Sequence, residues 1–135
     1  MIKKIDHIAI AVPSIEEARG YYENVLGLKL SRIEEVVDQK VKTAFFDVGG
    51  VWIELLEPTS PDSTVAKFIE NNKGKGGLHH VAYESDDVAA ELLAAESKGI
   101  ALIDKVPRKG AGNMNIGFLH PKFTDGALTE FCSPA

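Results

Sequence analysis

The sequence predicts an α+β chain made of two tandem β-α-β-β-β modules. Two observations carry this. Residues 5–30 (IDHIAIAVPSIEEARGYYENVLGLKL) and 78–103 (LHHVAYESDDVAAELLAAESKGIALI) follow one order: an apolar strand with a histidine, a turn, a helix, a glycine and a second apolar strand. Further on, VWIELLEP (51–58) parallels GALTEFCSP (126–134), each with a carboxylate inside an apolar strand and a proline soon after. The modules span about residues 3–58 and 77–133. Each half of the chain, roughly 65–75 residues with its share of the linker, is too small to be comfortable alone, so one domain covering 1–135 is expected.

In the first module a strand precedes Ser14, which can cap a helix with Glu17 three residues on. Ile15, Ala18, Tyr22, Val25 and Leu26 recur at helical spacing, and Gly27 suits the C-terminal cap. Residues 40–48 read as a further strand. Ser60 and Pro61 open a short linker helix with Val65, Phe68 and Ile69 on one face, and Gly74, Gly76 and Gly77 read as a flexible joint. In the second module Asp86 or Asp87 caps a helix with Val88, Leu92 and Ala95 as its apolar stripe, ended by Gly99. Residues 113–119 read as a strand, and PRKGAG (107–112) as a loop.

Composition narrows the class. Hydrophobic residues make up 44% and charged residues 26%, the balance of a soluble globule. No apolar run approaches the roughly 20 residues of a membrane span. The opening MIKKIDHIAIAV has Asp6 and His7 inside its apolar stretch, so it reads as a strand of the mature protein rather than a signal peptide. Cys132 is the single cysteine, which excludes an intramolecular disulfide and suits a reducing, cytoplasmic setting. The net charge of −5 argues against nucleic acid but leaves room for an anionic small substrate at a local basic patch.

Strand phase then selects residues, because side chains alternate across a strand. Ile8, Ile10 and Val12 share one face of the first strand and suit packing under a helix. His7 shares the other with Ile5, Ala9 and Ala11, small residues that read as a cavity wall. His80 aligns with His7 and shares a face with Ala82, whereas His79 falls opposite and reads as a core histidine. Glu54 and Glu130 sit mid-strand among apolar residues, 47 and 50 residues after His7 and His80. A charge there is costly unless paired or metal-bound. One histidine and one carboxylate per module make a metal site of His7, Glu54, His80 and Glu130. Two imidazoles and two carboxylates suit a borderline divalent ion.

These residues carry a resemblance. The duplicated module with His and Glu in each half resembles the vicinal-oxygen-chelate (glyoxalase-like) superfamily. Within it, the stretches 6–28, 52–58, 68–84 (FIENNKGKGGLHHVAYE), PRKGAG and 118–132 (FLHPKFTDGALTEFC) resemble the methylmalonyl-CoA epimerase family. The resemblance implies a cupped mixed sheet around one divalent metal, Co²⁺ before Mn²⁺, Ni²⁺, Fe²⁺ or Zn²⁺. It implies His7, His80 and Glu130 as ligands, with Glu54 at the position of a fourth ligand, where relatives can place glutamine. It also implies an acyl-CoA thioester substrate, methylmalonyl-CoA, a homodimer, and epimerisation at C2 by proton removal and return. Glu130 is the first candidate base. Thr43 falls where some relatives carry a glutamate, so the second base is left to Glu54, another acid or water. Arg108, Lys109 and Gly110 of the PRKGAG loop, with Thr43, are the candidate substrate contacts. His120 and Cys132 read as structural. Another metal enzyme of the fold (a glyoxalase, dioxygenase or thiol transferase) and a metal-free binding module are the competing functions.

Overall fold

A computed structural model describes all residues, Met1–Ala135. It has eight strands: β1 (Ile2–Ala11), β2 (Leu30–Val36), β3 (Val41–Val48), β4 (Val51–Pro58), β5 (Gly77–Ser85), β6 (Arg108–Gly110), β7 (Met114–Leu119) and β8 (Thr129–Pro134). Three α-helices accompany them: α1 (Ile15–Gly20), α2 (Thr64–Asn71) and α3 (Val88–Ser97). The class is the expected α+β. No helix is long and apolar enough to cross a membrane.

The chain forms two compact units, Ile8–His79 and Met1–His7 with His80–Ala135. In the first, β2, β3 and β4 form an antiparallel ladder, and the end of the first strand lies beside β4, with Val12 N donating to Leu56 O at 2.9 Å. In the second, β5 runs parallel to β8, and β8, β7 and β6 are antiparallel. Each unit thus orders its module's strands as first, fourth, third, second. This shared order is the structural form of the sequence repeat.

The helices are capped much as the sequence indicates. Ser14 Oγ accepts from Glu17 N and starts α1, and Asp87 Oδ1 accepts from Ala90 N and starts α3. Asp86 instead pairs with Lys3 at 2.7 Å. Helix α2 begins later than expected, because Ser63, not Ser60, caps it, and residues Ser60–Ser63 close a turn first. Helix α1 is also shorter. Tyr21–Val25 is a π-helical turn in which Leu26 N reaches back five residues to Tyr21 O. The wider turn breaks the 3.6-residue period, so Tyr22 still stacks on Phe46 while Val25 is 72% exposed. The expected stripe therefore holds only as far as Tyr22.

Two further expectations are corrected. Ala9 and Ala11 belong to the core, although Ala11 also borders a groove with Ile10, Val12 and Gly76. They are fully buried with Val41, Leu56, Val65 and Ile69, which places them under α2. The opposite face carries Val12, with Ile10 against it, among Ile15, Ala44, Phe46 and Leu55, as bulky residues under α1 should. Nor is the glycine run a flexible joint. A Cβ on Gly76 would lie 2.2 Å from Ala11 O, so that glycine permits a close backbone approach. Gly76→Ala is expected to cost about 1–3 kcal/mol or more, read as a fall of several degrees in Tm.

In the second module, residues 101–103 are not a strand. Leu102 makes only an isolated bridge to Leu119. The module's second strand is β6, inside the segment read as a loop. Arg108, Lys109 and Gly110 pair with Ile116, Asn115 and Met114. A Cβ on Gly110 would lie 2.8 Å from Ile116 Cγ2, so strand packing accounts for that glycine.

Candidate metal and active site

Residues His7, His80 and Glu130 converge within the second unit. The strands β1 and β5 present the histidines and β8 the glutamate, which stands opposite Ala82 on β5 and Phe118 on β7. All three are nearly buried, at 6%, 6% and 3% exposed. His7 Nε2 lies 3.2 Å from His80 Nε2. Glu130 Oε1 is 3.3 Å from His80 Nε2, and Oε2 is 3.4 Å from His7 Nε2. Glu130 Oε2 is buried and lacks a hydrogen bond.

These distances fit a shared cation. Donors bonded to one ion at about 2.1 Å stand about 3.0 Å apart at right angles and about 3.4 Å apart at the tetrahedral angle. The separation of the two Nε2 atoms and the contact of each with its nearer Glu130 oxygen fall in that window, and the three residues form one group whose ligand atoms lie within 4.8 Å of one another. Two imidazoles with a carboxylate are the donor set of a borderline divalent ion.

Surrounding residues hold the cluster in place. The His80 ring meets the Phe118 ring edge-on at 5.1 Å, and the His7 and His80 rings are themselves edge-on at 5.3 Å. The Arg108 guanidinium lies 5.5 Å from the centroid of the same Phe118 ring. Its Nε donates to Asp104 Oδ1 at 2.9 Å, and Asp104 Oδ2 accepts from Phe118 N at 2.9 Å. One aspartate thus fixes both the arginine and the strand beneath it. Lys109 is exposed on the same edge strand.

The two adjacent histidines have different surroundings, as strand phase expects. His79 packs against Phe68 of α2, rings 5.1 Å apart. His120 is exposed and caps a 3-10 turn, its Nδ1 accepting from Lys122 N at 3.1 Å. Cys132 is fully buried, with Sγ–H donating to Tyr83 O at 3.6 Å.

Glu54 belongs to the other unit. It is 5% exposed, opposite Phe45 on β3, and shares its strand face with Trp52 and Leu56. Thr43, opposite Leu56 and Glu34, is fully buried, and its Oγ1 has no hydrogen-bond partner.

The sequence reading missed Asp6. Its Oδ2 is 2.7 Å from His7 Nδ1, and the residue is 8% exposed. Burial pushes its carboxyl up, but the His7 hydrogen bond and charge, with Lys4 and the Cys132 thiol, hold it below the usual carboxylate range. The available signal was an acidic residue next to a candidate ligand histidine inside an apolar strand. Phe118 and Asp104 were missed too, for want of any local pattern.

Comparison with known proteins places this geometry in a family. Residues 6–118 match the Glyoxalase/Bleomycin resistance protein/Dioxygenase superfamily. The chain is 46% identical over 133 residues to the uncharacterized Bacillus subtilis protein YqjC, covering 98% of this chain and 94% of that one. It is 36% identical over 131 residues to the ethylmalonyl-CoA/methylmalonyl-CoA epimerase of Cereibacter sphaeroides, covering 96% and 97%. A solved methylmalonyl-CoA epimerase in complex with methylmalonyl-CoA and NH4+ superposes with a TM-score of 0.93 at 33% identity, covering 100% of this chain and 96% of that one. The chain therefore belongs to the glyoxalase superfamily and, within it, to the methylmalonyl-CoA epimerase family.

Proposed function

We propose that this chain, an epimerase by family, interconverts the 2R and 2S epimers of methylmalonyl-CoA at a divalent-metal site held by His7, His80 and Glu130. The observation that carries the reading is the buried cluster of two facing Nε2 atoms, 3.2 Å apart, with the Glu130 carboxylate across them, Oε1 3.3 Å from His80 Nε2 and Oε2 3.4 Å from His7 Nε2. Co²⁺ is the first choice of ion, and Mn²⁺, Ni²⁺, Fe²⁺ and Zn²⁺ suit the same donors. Glu54 is proposed as the fourth ligand, supported by its matching place in the fourth strand of its module and by its burial.

When bound, the divalent ion supplies Lewis-acid stabilisation of the charge that develops on the thioester oxygen. The chain's own groups handle the proton and the substrate. Glu130, whose buried carboxylate lies beside both imidazoles, takes the C2 proton. Thr43 is a poor acid–base group near neutral pH, so the return of a proton to the other face falls to Glu54, the matching carboxylate. Arg108 and Lys109 offer positive charge to the substrate carboxylate or CoA phosphates. Thr43 contributes a hydroxyl and Gly110 its backbone. The reading includes a homodimer, which the resemblance implies and size-exclusion chromatography tests, and a cytoplasmic setting, which the single cysteine suits.

Incubation of the Co²⁺-loaded protein with one methylmalonyl-CoA epimer in deuterated water tests the function. The expected result is a mixture of both epimers carrying deuterium at C2. Neither exchange nor epimerisation would overturn the reading and return the chain to another chemistry of the same fold.

A further inference from the structure

We propose that Asp6 is the positioning residue of the metal site, fixing the His7 ring so that Nε2 faces the ion without a proton. The inference rests on the metal reading above and extends it to a residue that touches neither metal nor substrate.

Three observations support it. First, the 2.7 Å contact between Asp6 Oδ2 and His7 Nδ1 has one sense. An ionised carboxylate only accepts, so Nδ1 carries the proton. A neutral His7 then has its lone pair on Nε2, the atom in the cluster with His80 and Glu130. Second, Asp6 is buried in an apolar strand, where an uncompensated carboxylate is costly. Third, β8 sets both ligand and support: Glu130 joins the cluster, and Cys132, two residues on, places Sγ within 4.8 Å of the Asp6 and His7 side-chain atoms.

The same proximity raises a rival, that Asp6, His7 and Cys132 are a second cation site. The distances decide against it. Donors on one ion stand about 3.0–3.4 Å apart, whereas the 2.7 Å Asp6–His7 separation is that of a charge-assisted hydrogen bond. Carboxylate–imidazole–metal arrangements of this kind raise ligand basicity and hold the ring in place.

Co²⁺ titration followed by visible absorption, on wild type, Asp6→Asn and Asp6→Ala, tests the inference. Asp6→Ala is expected to weaken Co²⁺ binding about 10–100-fold. Asp6→Asn, whose amide oxygen still accepts from Nδ1–H, should recover part of that loss. A purely structural role would not produce this ranking in variants whose metal-free Tm values match. Equal affinity in all three proteins overturns the inference alone, and a wild type without Co²⁺ affinity overturns the metal reading with it. Should neither variant fold, imidazole ¹⁵N shifts of the metal-free wild type decide. A proton on His7 Nδ1 supports the assignment, and a proton on Nε2 overturns it.

Discussion

Replacing His80 with alanine is expected to remove metal binding and epimerisation together, while the same change at His79 leaves both nearly intact. The two residues are neighbours in sequence and both are imidazoles, so composition does not distinguish them. Strand geometry does: His80 contributes Nε2 to the cluster, and His79 rests on Phe68. His80→Ala removes a ligand outright, a larger loss than the about 10–100-fold that a supporting residue is worth. His79→Ala loses an edge-on ring contact worth about 0.5–1.5 kcal/mol, so its cost falls on stability. Elemental analysis after metal-replete dialysis, with Tm of the same samples, separates the two. Metal retained by His80→Ala and lost by His79→Ala would show the strand phase to be inverted.

Glu130→Gln separates holding the ion from moving the proton. Glutamine keeps the shape and one oxygen donor but loses the basicity. The expected loss in kcat is about 10²–10⁴-fold, the usual worth of a general base. Deuterium incorporation at C2 should fall with the epimerisation rate, because proton removal precedes both. Co²⁺ should still bind, though less tightly, since both histidines remain. A Glu130→Gln enzyme exchanging C2 at close to the wild-type rate would assign the base elsewhere and leave Glu130 as ligand only.

The repeat carried most of what was legible in the sequence. It placed a histidine in the first strand and a carboxylate in the fourth of each module, and both modules adopt the same strand order. Alternation along a strand is a local, two-residue rule, which is why it could separate His80 from His79. Helical periodicity was read too far. A single π turn after Gly20 sufficed to expose Val25, and nothing in the spacing of YYENVL reveals it. Glycine was misread in the other direction. Gly76 was read as part of a flexible joint and Gly110 as a loop residue facing substrate, but each has a neighbour standing against it, Ala11 O in one case and Ile116 in the other.

The sequence by itself determined the fold class, the duplicated plan and the choice of His7, His80 and Glu130 as residues that converge, because burial of an apolar face imposes a period that a single chain displays. Only the tertiary structure decided how those ligands are supported. It brought Glu130 of β8 to the two histidines, leaving Oε2 without a hydrogen bond, and it set Phe118 on edge beside His80, with Arg108 over the same ring. It also gave Asp6 its role, turning an apparent interruption in an apolar strand into the hydrogen-bond partner of a ligand. Hydrogen bonds of this kind depend on ring orientation and on distances of a few tenths of an ångström, set by packing between strands distant in sequence. No period along the chain encodes them.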